Sequence, residues 1–303
     1  MWFVFALLTF FAWGTADLFY KKGTDPNDRY SHLKIVCIVG FVMGLHAVGY
    51  MLTNGIAFVP LDLIRYLPVS VLYILSMAIG YVGLRYIELS ISSPVQNSSG
   101  AVTCLLLLIF FGFGQVAGLE YVGIILICAG VFLLSLIEKR NADAARLVAP
   151  ADARYRKGFI AILFPILYCV VDGLGTFADG VYLDELSLIS EDAALVAYEL
   201  TFLICAVAAY IFVRFVKKQK FQVLRERDKI IAALFETAGQ FFYVFAMSDR
   251  AVIAAPIIAS YCVLSVIWSR IFLKEKLSRK QYATIALVFA GIVLLGVAEG
   301  LVG

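Results

Sequence analysis

Ten stretches of about 20 mostly apolar residues follow one another along this chain, each long enough to cross a bilayer as a helix. They cover residues 2–20, 33–53, 66–86, 92–113, 119–137, 158–180, 193–216, 230–248, 251–273 and 282–299. In hydrocarbon every backbone N–H and C=O needs an internal partner, and a helix supplies it within one segment. The expected fold class is an all-α membrane protein with ten transmembrane helices. Composition agrees: 16% of the 303 residues are charged, against about 25% in an ordinary soluble domain. A water-soluble fold of this size could not cover so much apolar surface, so soluble enzymes, nucleic-acid binders and disordered regulators are excluded. The first run is too long for a signal peptide and lacks its small-residue cleavage site. It is expected to be the first helix of a multi-pass protein of the plasma membrane.

The polar stretch 138–157, with Pro150, is the expected cytoplasmic linker between two five-helix units, 1–137 and 158–303. Of the 25 Lys and Arg residues, all but Arg65 and Arg250 fall in loops that follow odd-numbered runs. Short basic loops stay in the cytoplasm, which puts both termini on the outer side. Because five is odd, a second copy of the first unit must insert upside down, and the loops agree. The loop after run 1 is basic, while its counterpart after run 6 carries Asp184, Glu185, Glu191 and Asp192. The closing runs align without gaps: Tyr121, Ala129, Gly130 and Val131 match Tyr282, Ala290, Gly291 and Ile292. Runs 4 and 9 each carry one proline, Pro94 and Pro256. Inverted repeats of helices are characteristic of secondary transporters, whose site lies near the midplane. Duplication that merely builds a stable bundle is the competing explanation.

The segment from Ser265 to Val297, "SVIWSRIFLKEKLSRKQYATIALVFAGIVLLGV", resembles the closing part of an EamA-type repeat of the drug/metabolite transporter superfamily. It has a glutamate in a short turn (Glu275) followed by a helix with a small-residue Ala-Gly step. The first half echoes it in "GIILICAGVFLLSL", with Gly114 and Gln115 standing where the glutamate belongs. Glu275 reads best as a cap or a loop-fixing hydrogen bond. The resemblance implies a monomeric or homodimeric transporter whose cavity is lined mainly by helices 1, 3, 4, 6, 8 and 9, with helix 7 peripheral. It does not name a substrate.

An ionisable side chain inside a span costs at least about 2.5–3.5 kcal/mol. Such groups therefore face a cavity, pair with a partner or carry a proton. Glu236 heads a polar face with Gln240 and Tyr243 at helical spacing. Asp172 makes a second face with Tyr168, Thr176 and Asp179, the last expected at the surface. Asp17 follows Trp13 by one turn, with Lys21 as a competing partner. Glu199 is expected to be paired at the outer rim, and His46 to be a satisfied packing residue, with a proton relay as the alternative. Gln96 and Asn97, just after Pro94, offer an amide-rich wall, because non-helical backbone at membrane depth is tolerated only beside protein or a cavity. Tyr261, Ser265 and Trp268 share one face of run 9, and their rings could join Trp13, Tyr168 and Tyr243 in an aromatic lining. Gly40 and Gly44 form a small-residue step that serves either a dimer seam or internal packing.

Acids, amides and aromatics without a deep Lys or Arg suit a cationic or zwitterionic amine, held by a carboxylate and by ring faces. Free anions normally require Arg, Lys or a helix N-terminus. The leading expectation is transport by alternating access of an amino acid or organic cation, with protons as a second partner and Glu236 at the centre. A facilitator of a neutral sugar or nucleobase, read by Gln96, Asn97 and Gln240, is the alternative, and a non-transporting membrane subunit is the rival class. No catalytic group, cofactor, metal site or nucleic-acid partner is expected. The six cysteines all sit in apolar runs and read as small fillers.

Overall fold

The computed structural model describes residues 1–87, 89–148, 158–219, 221 and 226–302. It is helical, with no strand among the described residues. The helices are α1 (Trp2–Gly23), α2 (Ser31–Asn54), α3 (Pro60–Arg65), α4 (Leu67–Gly83), α5 (Leu89–Asn97) and α6 (Ser99–Phe111). They continue with α7 (Gly118–Val148), α8 (Gly158–Gly180), α9 (Glu191–Ile211), α10 (Arg227–Ala259), α11 (Tyr261–Phe272) and α12 (Arg279–Val302). Eight helical stretches are long and apolar enough to cross a membrane, and α4 is a shorter apolar helix. One of the eight runs for 46 residues from Arg227 to Phe272. It is interrupted at Arg250, whose φ of −150° and ψ of 67° are not helical.

Local chemistry sets the boundaries. Gly55, in the left-handed region at φ 65°, ends α2. Prolines open α3 and α4, where no N–H partner is needed. Ser190 caps α9 by accepting the Ala193 N–H. The starts of α7 and α12 use the reverse arrangement, in which a side chain of the first turn accepts the N–H just before the helix. The Ala117 N–H donates to Glu120 Oε2 at 2.8 Å, and the Ser278 N–H donates to Gln281 Oε1 at 2.5 Å.

Two boundaries differ from the sequence reading. Helix α7 continues to Val148, so the first part of the expected linker is helix; 149–157, with Pro150, lies outside the described residues. The proline-bearing runs are each broken four residues past the proline, at Ser98 and at Ser260. A proline removes one intrahelical donor. Ser135 Oγ on α7 donates to the Pro94 carbonyl at 2.8 Å, one of several bonds that satisfy the loosened turn.

Helices pack in four main pairs: α1 on α10, α4 on α8, α2 on α9 and α7 on α12. Small residues allow the close approaches, since dispersion grows as backbones near each other. A Cβ on Gly291 would lie 2.8 Å from the Gly123 carbonyl oxygen, which accounts for the Ala-Gly step in the closing helices. A Cβ on Gly40 would meet Ala206 Cβ at 2.5 Å, and one on Gly44 would meet the Leu203 side chain. The small-residue step of α2 is thus spent on α9 within the chain.

Charges gather at the two ends of the bundle. At the basic end Lys34 pairs with Asp28 at 2.6 Å, and Arg85 donates to the Arg29 and Pro26 carbonyls. Burial opposes the Asp28 charge, but Lys34 and the Tyr30 N–H outweigh it and hold the carboxyl below its usual range. At the opposite end Arg250 forms a two-pronged pair with Glu120, through Nη1 to Oε1 at 2.6 Å and Nη2 to Oε2 at 3.1 Å. There the Ala251 N–H donates to Asp184 Oδ2 at 2.8 Å, so an acidic side chain sits where α10 resumes after its kink.

Candidate functional site

The broken turns at Ser98 and Ser260 flank a cavity in the middle of the bundle, with about 70 Å³ of water-accessible space. Its wall is built from α1 (Trp13, Asp17, Tyr20), α4 (Tyr73, Met77, Gly80, Tyr81, with Leu84 just beyond), and the α5–α6 junction (Gln96, Asn97, Ser99, Gly100). Opposite stand α8 (Tyr168, Asp172, Thr176), Tyr198 of α9, both limbs of α10 (Glu236, Gln240, Tyr243, then Ala255, Ile258, Ala259), and Tyr261 of α11.

Three carboxylates face this space from three helices. Asp17 accepts from Ser93 Oγ at 2.6 Å and Ser265 Oγ at 2.8 Å, and so is held by α5 and α11 at once. Asp172 accepts from Ser99 Oγ at 2.7 Å and Ser76 Oγ at 3.3 Å. Glu236 is buried in the wall on the α10 face that also carries Gln240 and Tyr243. The lining contains no Lys, Arg or His. Carboxylates in a low-dielectric wall make a strongly electronegative chamber, or one that binds protons to relieve the charge.

Aromatic rings form the second component. Trp13 lies 5.0 Å from Tyr243 and 5.8 Å from Tyr261, ring centroid to centroid. Its indole N–H donates to the Glu236 carbonyl oxygen at 3.3 Å. Gly239 makes that placement possible, because a Cβ there would meet the indole at 2.4 Å. The Tyr73 and Tyr243 hydroxyls hydrogen-bond to each other, and Tyr73 also donates to Thr176 Oγ1 at 3.1 Å. The third component is amide: Gln96 Nε2 and Gln240 Nε2 are buried donors with no hydrogen-bond partner among the described residues, an arrangement that costs about 1–3 kcal/mol per group unless something accepts from it.

Of the residues singled out in the sequence, Trp13, Asp17, Gln96, Asn97, Tyr168, Asp172, Glu236, Gln240, Tyr243 and Tyr261 all line this cavity. Trp268 does not. Seven residues beyond Tyr261, it passes the cavity and packs against Phe272, its N–H donating to Thr15 Oγ1 at 3.3 Å. Asp17 is engaged by the two serines rather than by Lys21, which donates to the Leu84 and Ile87 carbonyls. Asp179 is not at the surface: it is fully buried and accepts from the Tyr66 hydroxyl. Glu199 is paired, as expected: it is fully buried, with both oxygens 2.9 Å from Nδ1 of His46, which is thereby satisfied. This pair lies between α2 and α9, behind the cavity wall. Glu275 Oε2 accepts the Ser90 N–H at 3.4 Å and so caps α5 from the other half of the chain.

The third run, α4, was expected in the wall only through the family resemblance; its own residues carry a visible signal that went unread, with Tyr66, Ser70, Tyr73, Met77 and Tyr81 recurring at three- and four-residue steps. Tyr20 continues the face of Trp13 and Asp17 at a three-residue step and was equally readable, whereas Ser99 and Tyr198 carry no comparable pattern.

Comparison with known proteins fits this architecture. Residues 160–297 match the model of the EamA-like transporter family. That match covers 138 of the 303 residues, so the second half of the chain is similar to this family. EamA-like proteins fall within the drug/metabolite transporter superfamily. No curated protein matches the chain at a significant level. A solved structure described only as "Crystal structure of protein" aligns with a TM-score of 0.66, covering 98% of this chain and 96% of that one at 13% identity. Likeness at that identity concerns the fold alone.

Proposed function

We propose that this EamA-like protein is a secondary active transporter that carries a small amine-bearing solute, an amino acid or organic cation, across the plasma membrane in exchange for protons. The observation that carries the reading is the cavity wall: Asp17, Asp172 and Glu236 share it with a cage of rings and with no basic side chain. A cation gains from carboxylates and from ring faces together. The two unpaired amide donors, Gln96 and Gln240, suit a carboxylate or hydroxyl on the same solute. They are also what a neutral sugar or nucleobase would use, which keeps the facilitator as the second reading. Glu236 is assigned the coupling role because it adds a third carboxylate to a chamber where mutual repulsion favours holding a proton until a cation replaces it.

In this reading the chain crosses the membrane ten times, as inverted repeats 1–137 and 158–303 with both termini outside. Counting α4 and dividing the 46-residue stretch at Arg250 supports ten crossings. Matching breaks at Ser98 and Ser260, matching caps at Glu120 and Gln281, and the opposed pairs α1–α10 and α8–α4 support the repeat. Discontinuous helices at the centre of such a repeat are where transporters bind their cargo.

A thermal-shift panel on the detergent-purified protein tests the substrate class, since a ligand that binds the folded state raises its melting temperature. Amines, quaternary ammonium compounds and amino acids are expected to stabilise it, at least about 2.7 kcal/mol being available at a hundredfold excess over Kd. Stabilisation by sugars or nucleobases alone overturns the assignment in favour of the facilitator.

A further inference from the structure

The first helix of each half carries a related phrase. Gly14-Thr15-Ala16-Asp17 is followed by Tyr20, and Gly175-Thr176, then Ala178-Asp179, is followed by Tyr182. The second copy holds one extra residue, Phe177, and a π turn over Val181–Glu185 follows close behind. Such turns arise where a helix accommodates an inserted residue. Asp17 and Asp179 therefore occupy equivalent positions, and in an inverted repeat equivalent positions lie toward opposite ends of the cavity.

Their surroundings differ. Asp17 lines the cavity. Asp179 is fully buried just behind the wall, within reach of the cavity-lining Tyr73 and Tyr243 hydroxyls, and accepts from the hydroxyl of Tyr66, itself fully buried and set edge-on to Tyr182 at 6.1 Å. Tyr66, Ser70 and Tyr73 follow one another on one face of α4 and its cap, leading from Asp179 to the cavity wall. Equivalent groups in unlike environments are what alternating access produces when one end is shut.

We infer that Asp179 is a second cation-binding carboxylate, the counterpart of Asp17, and that Tyr66 occupies it while the cavity is closed at the end away from the basic loops. This rests on the inverted-repeat reading above. When that end opens, Tyr66 withdraws and an arriving ammonium group takes its place on Asp179.

Ser70 supplies the reporter. It is fully buried and its Oγ has no hydrogen-bond partner, so Ser70→Cys changes little. Cells and inside-out vesicles carrying Ser70→Cys are treated with a membrane-impermeant maleimide, with the unsubstituted protein giving the background of its own cysteines. The thiol is expected to be protected, and to label several-fold faster from outside when Tyr66→Phe or Asp179→Ala is added. Asp179→Asn, which keeps an acceptor for Tyr66 but not the charge, is expected to leave Ser70→Cys protected. That variant should raise the outside amine concentration for half-maximal uptake by about tenfold or more, the loss of one charged hydrogen bond. Unchanged labelling from both sides in Tyr66→Phe and Asp179→Ala, with melting temperatures showing both variants folded, overturns the latch. Unchanged uptake in Asp179→Asn overturns the cation-binding role. Faster labelling only in inside-out vesicles keeps the latch and overturns the orientation instead.

Discussion

Replacing Glu236 with glutamine abolishes amine uptake driven by a pH gradient while leaving a folded protein with an equal or higher melting temperature. Glutamine matches glutamate in shape, so the packing of α10 against α1 survives. It removes a titratable group from a buried wall already holding Asp17 and Asp172, and burying such a charge is costly. What it removes from function is larger. A hydrogen bond to a charged group contributes about 1.5–3 kcal/mol, so amine affinity falls roughly 10- to 150-fold. In the proposed mechanism the proton exchanged at Glu236 is lost entirely. Uptake assays in proteoliposomes, run beside thermal unfolding, separate the two effects. Uncoupled but otherwise normal binding would confine Glu236 to coupling; uptake at the original rate would remove it from the mechanism.

The second large effect involves residues outside the cavity lining. Arg250 sits at the kink of α10 and grips Glu120, whose side chain is only 3% exposed, with two hydrogen bonds. The same carboxylate caps the start of α7 through Ala117. One ion pair thus joins the closing helix of the first half to the turn between the two limbs of α10. Arg250→Ala strands a buried carboxylate, which typically costs about 3–5 kcal/mol. The expected result is a marked drop in melting temperature, with more than half of it recovered on adding Glu120→Gln, because glutamine keeps the cap without the orphaned charge. A single variant that melts with the parent would show the pair to be dispensable.

Much of this was legible before any coordinates, for identifiable reasons. Apolar run length reports on membrane crossing directly, because hydrocarbon acts on each segment separately. The face shared by Glu236, Gln240 and Tyr243 could be read because all three lie on one helix, where periodicity fixes direction. Partnerships between helices could not. His46 and Glu199 are 153 residues apart, and nothing local in either helix announces that they meet. Asp17 offered Lys21 as a neighbour one turn away, but the three-dimensional neighbours are Ser93 and Ser265 from distant helices. Asp179 looked like the end of a span, yet Tyr66, just before α4, buries it. Trp268 shared a helical face with Tyr261, but rise along the helix carried it past the cavity. The breaks at Ser98 and Ser260 were signalled only by their prolines, whose spacing hinted at a loosened turn without saying how it would be satisfied.

The most direct test of the account is to count protons when substrate binds. Purified protein in weak buffer, with a pH indicator, is titrated with the amine or quaternary ammonium compound that stabilises it most. The account predicts release of about one proton for each molecule bound, as the cation displaces the proton from the carboxylate cluster, and no release from Glu236→Gln. Binding of that compound to the unsubstituted protein with no proton released would contradict it.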